Sequence, residues 1–322
     1  MGAYDVVGDV HGYADKLVGL LAALGYKKHD GAFRCTNRQV IFVGDLIDRG
    51  PQQAETVRIV RSMIDAGTAH IVMGNHEFNA IAYATDNPDR PGDYMRTHDG
   101  EKGLTHQEDH AEFLGEFEFG SALHREVLDW FRTMALWLSL DGIRIVHACW
   151  HEPSLQTLRE VLSGSNQLSD EFIVEASTKG QPAYDLVETT LKGPELRLAD
   201  YGAPPFRDKG MRLRYDARIR WWDDQATTLR DVAEIQPGAL GEDMKLYPEL
   251  STTPCDKGEA LRYDDTEPVF FGHYWRSGTP TRAGTRTICV DYSAGAKSEP
   301  LVAYRYEGPG DLSDENFVAF PG

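Results

Sequence analysis

Residues 39–50 read QVIFVGDLIDRG. The run Gln39–Gly44 is apolar and of strand length, which predicts a buried strand. Asp45, Asp48 and Arg49 follow it directly, framed by Gly44 and Gly50. A strand that stops on charged groups delivers them beyond its carboxyl end, where α/β sheets bind ligands. From Pro51 to Asp65 the pattern becomes helical, with Val57, Val60 and Ile64 on one face.

The same pattern recurs on either side. Ala3–Gly8 is a short apolar run ending in Asp9, followed by Leu17, Leu20, Leu21 and Leu24 at helical spacing and by Gly25 as a helix stop. Ala69–Gly74 is a third run. Strands alternating with helices predict a parallel-type α/β core. Gly142–Ala148 and Glu267–Gly272 are later strands, each ending at a histidine, and Arg286–Tyr292 with Leu301–Tyr306 read as a closing strand pair. Between them, residues 150–265 mix helical segments with the Gly/Pro-rich stretches GAPPF, GPEL and QPGAL. This stretch is expected to be a largely helical insertion or cap within one domain spanning 1–322. Thr97–Glu118 carries His98, His106 and His110 among many acids, and it reads as a solvated helix start and loop, not a metal cluster.

Composition narrows the function. With 33 basic and 51 acidic residues the net charge is -18, which argues against nucleic-acid binding, where Lys and Arg must neutralise phosphates. No apolar run reaches the roughly 18 residues of a membrane span, and the first residues have neither a basic n-region nor an apolar h-region. Neither a membrane nor a nucleic acid is expected as a partner. Cys35, Cys149, Cys255 and Cys289 are scattered without a CxxC pair, so a reducing, cytoplasmic compartment is expected.

Three motifs stand at the ends of the first three strands: Gly8-Asp9-Val10-His11-Gly12, Gly44-Asp45-Leu46-Ile47-Asp48-Arg49-Gly50 and Gly74-Asn75-His76-Glu77. His147 and His273 end the two later strands. Taken singly, an Asp-x-His is equally a loop turn and a lone histidine is often a core residue. Together, five strand ends deliver carboxylate, imidazole and amide groups with no thiolate. That set suits divalent Mn, Fe or Zn, and it has too many histidines for a pure Ca²⁺ or Mg²⁺ cage. Two metals sharing one carboxylate would use the whole set, an arrangement suited to phosphate-ester hydrolysis. Arg49 beside the carboxylates is a natural clamp for a phosphoryl group.

At these residues the sequence resembles the calcineurin-like metallophosphoesterase superfamily. Its blocks look like the phosphoprotein phosphatase branch, which includes serine/threonine protein phosphatases and bacterial symmetrical diadenosine-tetraphosphate hydrolases. The resemblance implies a four-layer fold, a central β-sandwich flanked by helices. It implies one metal on Asp9, His11 and Asp45, and a second on Asp45 (bridging), Asn75, His147 and His273. Manganese is the expected metal, with iron and zinc as alternatives. His76 resembles the family's general acid, Asp48 would orient it, and Arg49 would bind phosphate oxygens while a metal-bridging hydroxide attacks in line. The branch has a second phosphate-binding arginine, and Arg218 is the candidate within Arg212–Trp222.

Three departures stand out. Trp275 follows Gly272-His273-Tyr274, Ala148-Cys149-Trp150 follows His147, and Val290-Asp291-Tyr292-Ser293-Ala294-Gly295 replaces the family's Leu-Asp-Thr-Gly. Trp150 is expected to reshape substrate access, and Cys149 to be a buried, inert thiol. The expected activity is hydrolysis of a phosphomonoester, on a small molecule or a phosphoprotein carrying phosphoserine or phosphothreonine. Alternatives are hydrolysis of a dinucleoside polyphosphate and a non-catalytic metal-binding scaffold.

Overall fold

The apolar runs that end on charged groups form strands, and the first three are parallel. β1 (Ala3–Val7) leads to α1 (Ala14–Ala23), the hairpin of β2 (Lys27–His29) and β3 (Ala32–Arg34), then β4 (Arg38–Phe42), α2 (Gln53–Asp65), β5 (Ala69–Ile71) and α3 (Asn75–Tyr83). β1 pairs with β4 and β4 with β5, with Val6 level with Ile41. The coordinates are a computed structural model and describe residues 2–140, 142–162, 168–208, 210–308, 310 and 312–321.

Beyond α3 come α4 (Gly100–Asp109), α5 (Ala111–Glu116), α6 (Ala122–Phe131), β6 (Trp137–Leu140) and β7 (Ile143–Val146). Three helices follow: α7 (Glu152–Val161), α8 (Asp170–Ser177) and α9 (Pro182–Lys192). The next stretch is built mostly of short strands: β8 (Glu195–Arg197), β9 (Phe206–Arg207), β10 (Leu213–Arg214), β11 (Asp216–Ile219), β12 (Ala233–Glu234) and β13 (Leu240–Gly241). It also holds the short helices α10 (Leu229–Val232) and α11 (Asp256–Leu261). The chain ends with β14 (Val269–Phe271), β15 (Thr287–Cys289), β16 (Leu301–Tyr306) and β17 (Phe317–Phe320).

These elements form two compact units. The first is Met1–Lys192, Glu267–Arg282 and Ile288–Gly322; the second is Gly193–Thr266 and Ala283–Thr287. The helical character expected over 150–265 is therefore concentrated in α7–α9 of the first unit.

Besides the two-stranded β2-β3, two larger sheets build the first unit, one in the order β17-β16-β1-β4-β5 and one in the order β15-β14-β7-β6. Strand alternation sends Tyr4, Val6, Ile41, Tyr304 and Tyr306 of one sheet into a single core with Ile143, Ile145, Phe270 and Ile288 of the other. Each such side chain contributes about 1.5–3 kcal/mol relative to exposure, enough in sum to carry several buried charges at the strand ends. α1 packs on β16 and β17, and α2 on β3 and β5, through buried Leu17, Leu20, Leu21, Val57, Val60 and Met63. This is the β-sandwich with flanking helices.

The expected closing strand pair does not form. β15 joins the sheet of β14, whereas β16 pairs antiparallel with β1, Tyr4 level with Tyr306. Both runs are apolar enough to be strands, and alternation alone does not name a partner.

The second unit has two three-stranded sheets, β10-β9-β13 and β12-β11-β8, around a core that includes Leu196, Leu198, Ile219, Leu229 and Val232. Among the described residues no helix is long and apolar enough to cross a membrane.

Candidate metal centre

Because β1 and β4 are parallel, the loops that leave them lie side by side and are cross-bonded. The Val10 and His11 N–H groups donate to the Asp45 carbonyl at 3.0 and 2.9 Å, and the Gly50 N–H donates to the His11 carbonyl at 2.8 Å. His11, Asp45, Asp48 and Arg49 all have left-handed backbone, with φ of 50, 53, 68 and 74°. That conformation costs about 1–2 kcal/mol at a residue with a Cβ, so it persists only where other bonds hold it. β7 and β14 are also parallel, and the Gly272 N–H donates to the His147 carbonyl at 2.8 Å. Two glycines leave room for carboxylates. A Cβ on Gly272 would lie 2.1 Å from Asp9 Oδ1, and one on Gly74 would lie 2.2 Å from Asp45 Oδ1.

Asp45 is the hub. Its Oδ2 lies 3.8 Å from His11 Nε2, 3.8 Å from His76 Nε2 and 3.5 Å from His147 Nε2. Two groups of side chains can therefore hold an ion, His11 with Asp45 and His76, and Asp45 with His147 and His273, each within 4.8 Å. Asp9 accepts the His273 N–H through Oδ2 at 3.0 Å. Its Oδ1 is buried without a partner among the described residues, as is His11 Nε2.

The donor atoms fit cations. His11 Nδ1 donates to the Ile47 carbonyl at 2.9 Å, so Nε2 carries a lone pair. Burial, aided by the charge on His76, pulls this histidine down to about 4, which keeps the imidazole neutral. His147 Nδ1 donates to the Val43 carbonyl at 2.7 Å, and its Nε2 faces Asn75 Oδ1 at 3.1 Å. In the neutral ring those are two lone pairs at hydrogen-bond distance, which a cation between them resolves. Asp9, Asp45, Glu77 and Asp291 are all at most 1% exposed, a concentration of carboxylates that needs positive charge. Burial, Asp291 and Asp45 push the Asp9 carboxyl well above its usual range. Burial opposes a proton on His147 and on His76, but the Asp45 charge outweighs it, and both sit above the ordinary imidazole range.

Around this hub lie residues whose work the motifs do not announce. Glu77 is fully buried and accepts the N–H groups of Asp45, Leu46 and Gly74 at 2.9, 2.8 and 3.0 Å. Burial and Asp45 push its carboxyl up to about 7, against three donors that favour the charged form. Its position three residues after the helix-capping Gly74 is a capping-box spacing, a signal readable in sequence. Asp291 accepts the N–H groups of Trp275 and Ser293 at 2.7 and 2.8 Å.

Asp48 Oδ2 lies 2.5 Å from His76 Nδ1 and 2.9 Å from His110 Nδ1. Burial would raise its carboxyl, but His110 and His76 outweigh this and hold it well below the usual range. His110, expected in a solvated stretch, is 1% exposed. His98 and His106 bond to the carbonyls of Tyr83 and Thr97, both at 2.9 Å.

The remaining predicted residues fall as follows. Arg49 is exposed, with its guanidinium 4.9 Å from the centre of the Trp275 ring. Trp150 is buried, donates to Glu152 Oε2 at 3.0 Å and lies under Arg144, so its bulk is spent on packing. Cys149 is fully buried, and burial pushes its thiol well up, as an inert thiol requires. Arg218 lies in the second unit on β11, level with Glu195 and Glu234.

Comparison with known proteins agrees with this geometry. A family model described as calcineurin-like phosphoesterase matches residues 4–205. An asymmetrical bis(5'-nucleosyl)-tetraphosphatase of Bacillus velezensis is 38% identical over 87 residues, 27% of this chain and 35% of that protein. One of Halalkalibacterium halodurans is 34% identical over 116 residues, 36% of this chain and 47% of that protein. The chain thus spans a third to a half of the length of these relatives. Among solved structures, a cold-active protein tyrosine phosphatase shares the fold, with a TM-score of 0.51 and 18% identity over 99% of this chain and 78% of that one. The family model takes in more than half of the chain, including the loops after β1, β4, β5 and β7 that meet at Asp45, and on that footing the chain belongs to the calcineurin-like phosphoesterase family, whose members work with divalent metal ions.

Proposed function

We propose that this chain is a dinuclear-metal phosphatase that hydrolyses phosphomonoesters, with phosphoserine or phosphothreonine as the natural class. Asp9, His11 and Asp45 would hold one ion, and Asp45, Asn75, His147 and His273 the other. Bound ions supply Lewis acidity for phosphoryl oxygens and an acidified water for in-line attack. Manganese, with iron or zinc as alternatives, suits these oxygen and imidazole donors. Arg49, exposed beside the centre, binds the phosphoryl oxygens.

One observation carries the choice of ester. His76 is held by a buried carboxylate, Asp48, with Nδ1 bonded and Nε2 turned toward Asp45. This is the arrangement of a positioned proton donor. An alkoxide leaving from a serine or threonine phosphate needs that proton, whereas a nucleotide leaving from a phosphoanhydride departs as a stable anion. The second reading, hydrolysis of a dinucleoside polyphosphate, is favoured by the names of the relatives. Arg218 is proposed as the second phosphate clamp on its place in the sequence. We take residues 150–265 to be an insertion within a single domain, because the chain returns after them as β14 in the first unit's second sheet. Free cysteines suit a reducing compartment, and we place the chain in the cytoplasm.

The test is phosphate release by the Mn²⁺-loaded chain from a phosphothreonine peptide, an aryl phosphate and diadenosine tetraphosphate, with and without chelator. Chelator-sensitive turnover that favours the peptide is expected. Strong preference for the dinucleotide would overturn the monoester reading in favour of the second one. Arg218→Ala is expected to raise KM for the peptide, and an unchanged KM would remove Arg218 from the site.

A further inference from the structure

His110 enters the site from the segment between α3 and α6, marked by no motif. It stands at the junction of α4 and α5, its N–H donating to the His106 carbonyl at 3.2 Å and its carbonyl accepting the Leu114 N–H at 2.9 Å. Its ring is 1% exposed, with the Tyr83 ring edge-on at 5.4 Å. Tyr83 ends α3, the helix whose first turn carries His76, so both imidazoles that flank Asp48 are tied to one helix.

Asp48 is fully buried, and its Oδ1 has no partner among the described residues. The orientation of its carboxylate therefore rests on Oδ2, which receives His76 Nδ1 at 2.5 Å and His110 Nδ1 at 2.9 Å. A carboxylate accepts and does not donate, so each ring carries a proton on Nδ1. With His76 alone, the carboxylate and the imidazole would turn together. The second donor fixes the carboxylate independently of His76. His110 Nε2 is buried without a partner among the described residues, a cost that an apolar ring of similar size would avoid.

We propose that His110 is a positioning residue: it pins Asp48, and Asp48 in turn holds the Nδ1–H of His76, so that the proton the imidazolium gives up is the one on Nε2, which faces the reacting centre. The proposal rests on the reading of His76 as the proton donor. The experiment compares His110→Ala, His110→Asn and His76→Ala in the Mn²⁺-loaded chain. Asn keeps an N–H donor close to the Nδ1 position. One substrate is 4-nitrophenyl phosphate, whose leaving group departs without a proton, and the other is a phosphothreonine peptide, whose alkoxide needs one.

For His110→Ala we expect kcat on the peptide to fall about 10- to 100-fold and kcat on the aryl ester less than about threefold, with KM little changed and His110→Asn restoring most of the loss. Equal losses on both substrates, no loss, or Asn behaving as Ala would overturn the proposal. If His76→Ala shows the leaving-group-dependent loss and His110→Ala does not, only the positioning role falls. If His76→Ala lacks it, the proton-donor reading itself falls. A readout independent of turnover is imidazole ¹⁵N NMR of the Zn²⁺-loaded chain. With the ring made neutral by raising the pH, His76 is expected as the Nδ1–H tautomer in the wild type and His110→Asn, and as a tautomer mixture in His110→Ala. An unchanged tautomer in His110→Ala would also overturn the role.

Discussion

Left-handed backbone at residues with side chains serves one purpose around the candidate metal centre and another in the exposed turns of the second unit. In the first, His11, Asp45, Asp48, Arg49, His273 and Trp275 adopt it in the loops after β1, β4 and β14. There it aims His11, Asp45, Asp48 and His273 inward, and bonds such as those from the Val10 and His11 N–H groups to the Asp45 carbonyl keep it in place. In the second, Met211 and Met244 adopt it with 46% and 53% of their surface exposed. Each closes a turn, the Met211 N–H donating to Asp208 at 2.9 Å and the Met244 N–H to Gly241 at 3.1 Å. The same φ thus marks chemistry where cross-bonds over-determine it and a simple reversal where solvent surrounds it.

The most forceful way to break this contrast is to remove divalent ions. Chelation is expected to abolish phosphate release, and Asp45→Asn to lower turnover by about 10³-fold or more, since both candidate ion groups share that carboxylate. Metal analysis should find less than the full complement on Asp45→Asn. Full turnover in excess chelator would leave the inward-facing loops without their stated purpose.

A smaller effect is expected one layer out. Glu77 holds the turn at Asp45 through three backbone N–H groups. Glu77→Gln removes the charge that strengthens those bonds and offers one acceptor oxygen in place of two. We expect metal affinity to fall about 10- to 100-fold and stability by about 1.5–3 kcal/mol. Isothermal titration with Mn²⁺ and urea unfolding measure the two. An unchanged affinity would mean that the Asp45 turn holds itself.

The third prediction concerns the turn that leads into α4 and so toward His110. Asp93 accepts Thr97 Oγ1–H at 2.7 Å and the His98 N–H at 3.1 Å, and it pairs with Arg90 at 3.1 Å. The Thr97 bond first, with the His98 N–H and Arg90, holds its carboxyl down at about 2, below the usual range of an aspartate. A depressed folded pKa stabilises the fold above the unfolded value and loses that contribution as pH falls through the folded one. The melting temperature of Asp93→Asn should therefore lie below that of the wild type at neutral pH. The gap should shrink from about pH 4 and vanish near pH 2. A gap that persists at pH 2 would show that the side chain acts through packing and not through its charge.

How much of this was legible follows from the distances involved. Asp9, Asp45, Asn75, His147 and His273 each sit within a few residues of an apolar run, and parallel pairing alone makes the ends of β1 and β4 neighbours. His110 is 62 residues from Asp48, and no periodicity joins them. Its stretch is acidic and polar, which reads as solvated until the ring is seen to be buried. The closing strands were readable as strands, but β16 bonds to β1 from the far end of the chain, a pairing that alternation does not encode. In the second unit several strands are two residues long, β9, β10, β12 and β13 among them, too short for any period to register.

The smallest expected effect tests the other side of the comparison. At Met244 nothing but the turn asks for left-handed φ, so glycine should serve as well. Met244→Gly relieves about 1–2 kcal/mol of backbone strain and gives back roughly 0.5–1 kcal/mol through the freer unfolded chain. The net is a gain between about 0 and 1.5 kcal/mol, seen as a slight rise in melting temperature, with turnover and metal content unchanged. The same change at His11 relieves the same strain but deletes an imidazole whose Nε2 faces Asp45, so stability and activity should part company there. If Met244→Gly lowered turnover, the exposed turn would be serving more than chain reversal, and backbone conformation would no longer separate the two regions.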